Sequence, residues 1–310
     1  MRVCHVSETP IAGAAWCWSE AFKEAGYDSF AVAGARYSDG RAMPCDASWP
    51  PSPGDIKAIQ DADLIFCYQG YPYRHKWFPR DKPTVGLYVS QPHHIHKALE
   101  QDGWPWAVIA EYQPRLYPGC AVVPNLVPLK HPWFQPGEKP QDHIRIAYSP
   151  SNKILTGWDS KGYGETSEAL YAVQAEDVDI DIIMGVPLEE CLRRKSTAHI
   201  VIDECVTGSY HGNSIQGLAL GCVMINGCDF MTEQRLHQVT GGCGSPFVVC
   251  TVSDLVGVLQ HLIVWGPKRL AELGRQSREW IEGALDPAEC INRSFVPLMD
   301  AAFEHAKEGA

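Results

Sequence analysis

Short β-branched runs alternate with longer amphipathic stretches along the chain. Residues 2–7 predict a strand, 15–25 a helix closed by Gly26, and 28–33 a second strand. After an irregular Pro- and Gly-rich stretch to Gly54, the pattern predicts a short helix and strands at 63–68, 84–90, 107–110 and 121–123. Between Leu126 and Gln141 lie Pro128, Pro132, Pro136 and Pro140, which no helix or interior strand tolerates, so this stretch reads as a linker. The alternation then restarts. Strands are expected at 144–148, 178–184, 199–203, 222–226 and 247–250, with helices at 166–176, 188–196 and 213–220. The end is helical, over 254–264, 267–282 and 287–307. Strands alternating with helices at this spacing imply parallel pairing, hence an α/β protein of two doubly wound, Rossmann-like domains. The expected divisions are 1–142, 143–285 and a terminal helix at 286–310.

Composition agrees with a folded protein. Of 310 residues, 45% are hydrophobic and 20% charged. The longest apolar runs, 218–225 and 247–252, fall far short of the ~20 residues of a membrane span. The N-terminus runs directly into a strand, without signal-peptide architecture. None of the 12 cysteines forms a CxxC pair, and several sit in apolar runs, so reduced thiols in a cytoplasmic protein are expected, without structural zinc. The net charge is −11, which argues against broad coating of nucleic acid. That charge is unevenly divided. Residues 1–142 hold 13 Lys+Arg against 15 Asp+Glu and 20 of the 31 aromatics, whereas residues 143–310 hold 13 against 22. A locally recognised polyanion therefore remains compatible with the first half.

Three stretches carry candidate chemistry. The turn after the first strand, from Ser7 and Glu8 to Gly13, Ala14 and Ala15, is small enough to let a ligand approach a helix N-terminus. It lacks the spaced glycines of a dinucleotide fingerprint, so NAD binding is not expected. The second domain opens with Ser149, Ser151 and Lys153, then Lys161 and Gly162, a pair of lysines suited to phosphate at the carboxyl edge of a parallel sheet. Residues 206–221 form a Gly/Ser loop (Gly208, Ser209, Tyr210, His211, Gly212) leading into a helix that starts with Asn213 and Ser214. Its first amides and dipole favour a diphosphate, and Gln216 would reach a hydroxyl beside it. Asn213 also reads simply as a helix cap.

Asp203-Glu204, then Gly208-Ser209-Tyr210 and Gln216–Gly221, resemble the donor-site stretch of retaining GT-B glycosyltransferases, in particular the family-4 sugar-nucleotide-dependent group. Ser149–Ser151 with Lys161-Gly162 resembles that group's phosphate loop, and Val122–Asn125 its pre-linker element. Residues 12–15 resemble its N-terminal glycine loop, and residues 270–282 with the final helix its C-terminal helices. The resemblance implies a GT-B fold, with a cleft between two domains and a last helix returning to the first. It implies sugar transfer from a nucleotide diphosphate sugar to an acceptor hydroxyl, with no cofactor or metal required. Lys161 and Lys153 would neutralise the diphosphate, the 208–214 loop would hold phosphates and sugar, and Gly185-Val186 would lie by the nucleobase. The group's two glutamates, however, are replaced here by Gly208 and Gln216. Glutamine both donates and accepts but carries no charge.

A histidine cluster, His93, His94 and His96, follows the fourth strand of the first domain. In the resembling group a histidine here faces the sugar, which makes His93 and His94 catalytic candidates; metal binding by the cluster is the lesser reading. Retention needs no protein base, because the leaving phosphate accepts the proton; inversion would recruit a base, with Glu8 and Asp63 as further candidates. Residues 71–82 interleave aromatics with cations, and Arg74, Lys76 and Trp77 are the candidate acceptor contacts. The same stretch also reads as a loop anchored by Trp77 and Phe78 with a solvated rim. The acceptor is then a glycan, a lipid-linked sugar, or a hydroxylated base in nucleic acid. The alternative from another class is a nucleotide-sugar-binding protein without transferase activity.

Overall fold

The computed structural model describes residues 1–37, 41–151 and 161–308. The chain forms two compact units, Met1–Pro128 with Asp286–Ala310, and Leu129–Leu285.

The first unit contains β1 (Arg2–Val6), α1 (Ala14–Glu24), β2 (Asp28–Ala33), β3 (Ala47–Ser48), α2 (Pro53–Gln60), β4 (Leu64–Tyr68), β5 (Thr84–Tyr88), α3 (Ala98–Gln101), β6 (Trp106–Ile109) and β7 (Ala121–Val123). The strands pair in parallel in the order β3-β2-β1-β4-β5-β6-β7. Strands β4 and β5 are buried along their whole length, as the near-continuous apolar runs of a sheet covered on both faces require. Helix α1 buries Trp18 against Tyr68 and Phe22 against Phe66, both of β4. The chain returns to this unit through α10 (Pro287–Cys290), a π-helical turn at Ile291–Phe295 and α11 (Val296–Glu308). That turn interrupts what the sequence reads as one helix. It carries Phe295 edge-on against Trp18 and Phe22, with centroids 5.4 and 5.5 Å away.

The second unit contains β8 (Ile144–Tyr148), α4 (Tyr163–Ala172), β9 (Val178–Ile182), α5 (Leu188–Ser196), β10 (Ile200–Ile202), α6 (Gly212–Ala219), β11 (Val223–Asn226), α7 (Phe230–Val239), β12 (Val248–Val249), α8 (Leu255–Val264) and α9 (Gly266–Ala284). Its parallel sheet runs β12-β11-β10-β8-β9. The core joins Ile146, Tyr148, Ile200, Ile202 and Ile225 to Leu255 and Leu259 of α8.

Residues 129–141 belong to this second unit rather than spanning freely. Lys139 Nζ donates to the carbonyls of Ser196 and Ala198 (3.2 and 2.7 Å), and the Arg278 guanidinium donates to those of Leu129, Phe134 and Ala219. Prolines remove backbone donors from this stretch, and two long cations hold it instead: its own Lys139, on carbonyls at the end of α5, and Arg278, on the stretch's carbonyls. Helix α9 reaches the turn after α6 only because residue 274 has no side chain. A Cβ there would lie 2.0 Å from the Gly221 carbonyl oxygen. No helix of the described residues is long and apolar enough to cross a membrane.

Candidate functional site

In the second sheet the chain leaves β8 for β9 on one side and comes back to β10 on the other. The carboxyl ends of β8 and β10 are therefore a topological switch point, the place where open α/β sheets leave room for a ligand. Because all these strands are parallel, Ser149 and Ser151 after β8, Gly185-Val186 after β9, and Asp203-Glu204 after β10 lie along one edge. Gly162, next to Lys161, lies against the loop after β10. At Gly162, whose φ is 72°, a Cβ would meet Val206 Cγ2 at 2.7 Å. Lys161 itself is half-buried and adopts a left-handed conformation, with φ 51°. Lys153 lies outside the described residues.

Two carboxylates shape the loop between β10 and α6. Asp203 Oδ2 accepts from the His211 amide at 2.8 Å and from Ser214 Oγ at 2.7 Å, while Asn213 Nδ2 lies 3.4 Å from Oδ1. It thus pins the entry to α6 without capping it, and the first-turn amides of Gly212 and Asn213 have no intrahelical carbonyls. Glu204 accepts from the amides of Val206 and Thr207 (2.8 and 2.9 Å) and from the Thr207 hydroxyl, and His211 Nε2 lies 3.3 Å from its Oε1. Burial by itself would raise this carboxyl, but the bonds from His211 and Thr207 prevail and hold it down at about 2. Glu204 is therefore a permanent anion that closes a turn. The Gly208 carbonyl is fixed in its turn by the Asp229 amide and Thr232 Oγ1 at the start of α7.

Among the sequence candidates, the structure brings Lys161, Ser151, Gly185, Val186, His211, Gly212, Asn213, Ser214 and Gln216 to this one edge or its loops. Tyr210 is withdrawn from it: the ring is fully buried, 5.4 Å from Phe247. Ser214 is also buried, its hydroxyl spent on Asp203 and Asn226. Sequence reasoning overlooked Lys195. In a basic helix end, Leu192 to Ser196, it reads as a solvated cation, yet it is only 2% exposed, with Nζ 2.5 Å from Asn213 Oδ1.

The first unit has its own switch point, between β1 and β4. Gly13, at φ 79°, begins α1 beside it, after Ala12 at φ 51° whose amide donates to the Tyr37 hydroxyl at 2.5 Å. Glu8 follows β1, and both its oxygens are engaged: Oε2 with Arg74 at 3.0 Å and Oε1 with His75 Nε2 at 2.8 Å. The His75 ring stacks on Trp77 at 5.5 Å, and both lie against Trp49. Lys76 is exposed beside them. His93 and His94 are exposed after β5, one strand further along, with their rings 4.0 Å apart. His96 instead donates its amide to the Gln69 carbonyl, 2.8 Å away in the loop after β4. Asp63 precedes β4, at the opposite edge of the sheet from Glu8, and accepts from the Arg2 amide at 2.7 Å. Among the described residues no group of three or more His, Cys, Asp or Glu is placed to hold a metal ion.

Comparison with protein families and with curated proteins finds no match. Solved structures do match. The chain superposes on Anabaena Alr3699/HepE, solved in complex with UDP and glucose, with a TM-score of 0.58, 12% identity, and coverage of 96% of this chain and 99% of that one. An O-GlcNAc transferase variant from Thermobaculum terrenum gives 0.55 at 13% identity, covering 100% of this chain and 69% of that one. A glycosyltransferase from Rickettsia africae gives 0.54 at 11%, covering 97% and 98%. With its parallel sheets of seven and five strands flanked by helices, the chain has the GT-B glycosyltransferase fold.

Proposed function

We propose that the chain transfers a sugar from a nucleotide diphosphate sugar to an acceptor hydroxyl. The observation that carries this reading is the loop from Asp203 to Ser214, folded by two carboxylates at the switch point of the second sheet, with the Gly212 and Asn213 amides presented at its end. Such a loop is ordered before a ligand arrives, so little binding energy goes into organising it. The diphosphate would meet those amides and Lys161. As the bond from the anomeric carbon to the phosphate oxygen breaks, negative charge grows on that oxygen, and fixed donors stabilise it more than they stabilise the ground state. The sugar lies by His211, and the base by Gly185 and Val186.

The reading is a retaining transfer. The departing phosphate takes the acceptor's proton, and Glu8, whose oxygens already accept from Arg74 and His75, is not needed as a base. The acceptor would meet the aromatic wall of His75, Trp77 and Trp49, with Arg74 and Lys76 suited to a phosphate-bearing chain such as nucleic acid with a hydroxylated base or a lipid-linked sugar. Incubation with UDP-, GDP- and ADP-sugars, with oligosaccharide, polyprenyl phosphate-sugar and hydroxymethylated DNA as acceptors, tests this. Release of nucleoside diphosphate with a matching mass gain on one acceptor is expected. Binding without turnover, across the whole panel, would make the chain a nucleotide-sugar-binding protein instead.

A further inference from the structure

The buried ammonium of Lys195 has two partners, Asn213 Oδ1 at 2.5 Å and Gln216 Oε1 at 3.3 Å. No carboxylate among the described residues lies within ion-pair distance of it. Lysine can only donate, so both amides must turn their oxygens toward it. For Asn213 the consequence is absorbed inside the protein: Nδ2 points to the Ile202 carbonyl at 3.3 Å and to Asp203, while Oδ1 also accepts from Ser149 Oγ at 3.2 Å. For Gln216 it is not. Its Nε2 has no partner among the described residues and is not sealed from solvent. Gln216 sits one turn into α6, next to the residues that line the switch point.

We propose that Lys195 is a specificity-determining residue: it locks the Gln216 amide with its NH₂ group toward the ligand, so that this edge reads a hydrogen-bond acceptor where a carboxylate would read a hydroxyl donor. The proposal rests on the nucleotide-sugar reading for the identity of the ligand, whose ribose oxygens are the acceptors in question. It also accounts for a neutral side chain at this position. Glutamate beside Lys195 would form an ion pair and present its outer oxygen, an acceptor, to the ribose.

A double-mutant cycle with Lys195→Met and Gln216→Glu tests the contact without any ligand. If Lys195 faces residue 216, Gln216→Glu raises Tm by a few degrees in the wild-type background, because the ammonium gains an anion, and lowers it in the Lys195→Met background, where the carboxylate is buried unpaired. An equal shift in both backgrounds, or failure of Gln216→Glu alone to fold while Lys195→Met folds, overturns the contact. Calorimetric titration then tests the readout, using whichever of UDP, GDP and ADP binds best and its 2′-fluoro and 3′-fluoro analogues, which keep an acceptor but lose the hydroxyl donor. Wild type should bind all three within about threefold, and Gln216→Glu should lose about tenfold or more on at least one analogue. Wild-type discrimination of tenfold, or none in Gln216→Glu, overturns the proposal while leaving the nucleotide site intact. Absence of nucleotide binding by the wild type removes the nucleotide-sugar reading and this specificity role with it.

Discussion

Replacing Asp203 by alanine is expected to weaken nucleoside diphosphate binding by about tenfold to a hundredfold and to reduce glycosyl transfer by at least as much. Two effects oppose each other here. Removing an anion from a phosphate site favours the ligand electrostatically. Asp203, however, spends its charge locally on the His211 amide, the Ser214 hydroxyl and the Asn213 amide. The His211 amide and the Ser214 hydroxyl lose their acceptor, at about 1–3 kcal/mol for each one left unpaired, while the Asn213 amide keeps the Ile202 carbonyl. The loop must then be ordered at the moment of binding, and that loss exceeds the relief of repulsion. Titration of the variant with UDP, alongside Asp203→Asn, separates the two effects. Asparagine removes the charge but keeps one acceptor, so it should fall between alanine and wild type. An affinity equal to or above wild type in both variants would mean that the loop is not what holds the nucleotide.

Stability should fall steeply as pH drops below about 6.5, before most carboxylates titrate. His5 is fully buried on β1, stacked on Phe66 at 4.9 Å with Nδ1 3.0 Å from the Tyr68 hydroxyl. Burial, with a smaller contribution from the Lys23 charge, lowers its pKa to about 3. His199 is buried as well, its Nδ1 accepting from the Arg145 amide at 3.1 Å, and burial with the nearby Lys139 charge lowers it to about 4. The unfolded chain takes up these protons near pH 6.5, whereas the folded chain refuses them until pH 4 or 3. Each histidine therefore contributes fully above pH 6.5 and costs about 1.4 kcal/mol per pH unit on descending through that window. Glu204 adds the same direction lower down, since its contribution is lost from about pH 4.5 toward 2. Urea unfolding at pH 7.5 and pH 5 should differ by about 3 kcal/mol or more. In His5→Phe, which keeps a ring against Phe66 but leaves the Tyr68 hydroxyl unpaired, stability at pH 7.5 is lower and about half of the pH dependence is gone. An unchanged pH dependence in that variant would place the acid sensitivity elsewhere.

Much of the fold was legible because parallel strands buried on both faces are nearly continuous apolar runs, as in β4 and β5. The sequence order of strands and helices was enough to predict two doubly wound sheets. Three elements were not. Strand β3, at Ala47–Ser48, is too short to leave a pattern. Helix α7 was overlooked because it starts with Phe230 and Met231, both exposed, so its apolar residues do not fall on one face; the Asp229 cap, accepting from the Thr232 amide, was the available signal. The proline-rich stretch after Leu126 read as a linker because its tethers, Lys139 and Arg278, bond to backbone carbonyls, which leave no trace in sequence.

The candidate site stands out in the sequence by its glycines and small residues but not by its polarity. Asn213 and Gln216 announce hydrogen bonding, yet only the packing of α5 against α6 reveals that Lys195 donates to the side-chain oxygens of both. Likewise Arg74 reads as an acceptor contact or as part of a solvated rim, and only the folding of β1 beside β4 shows that it is paired with Glu8.

The most direct test is a crystal structure of the chain with UDP. The account predicts the nucleotide at the carboxyl edge of β8 and β10, with its phosphates against the Gly212 and Asn213 amides and Lys161, and its ribose within reach of Gln216 Nε2. A nucleotide bound elsewhere, with the 208–214 loop uncontacted, would contradict it.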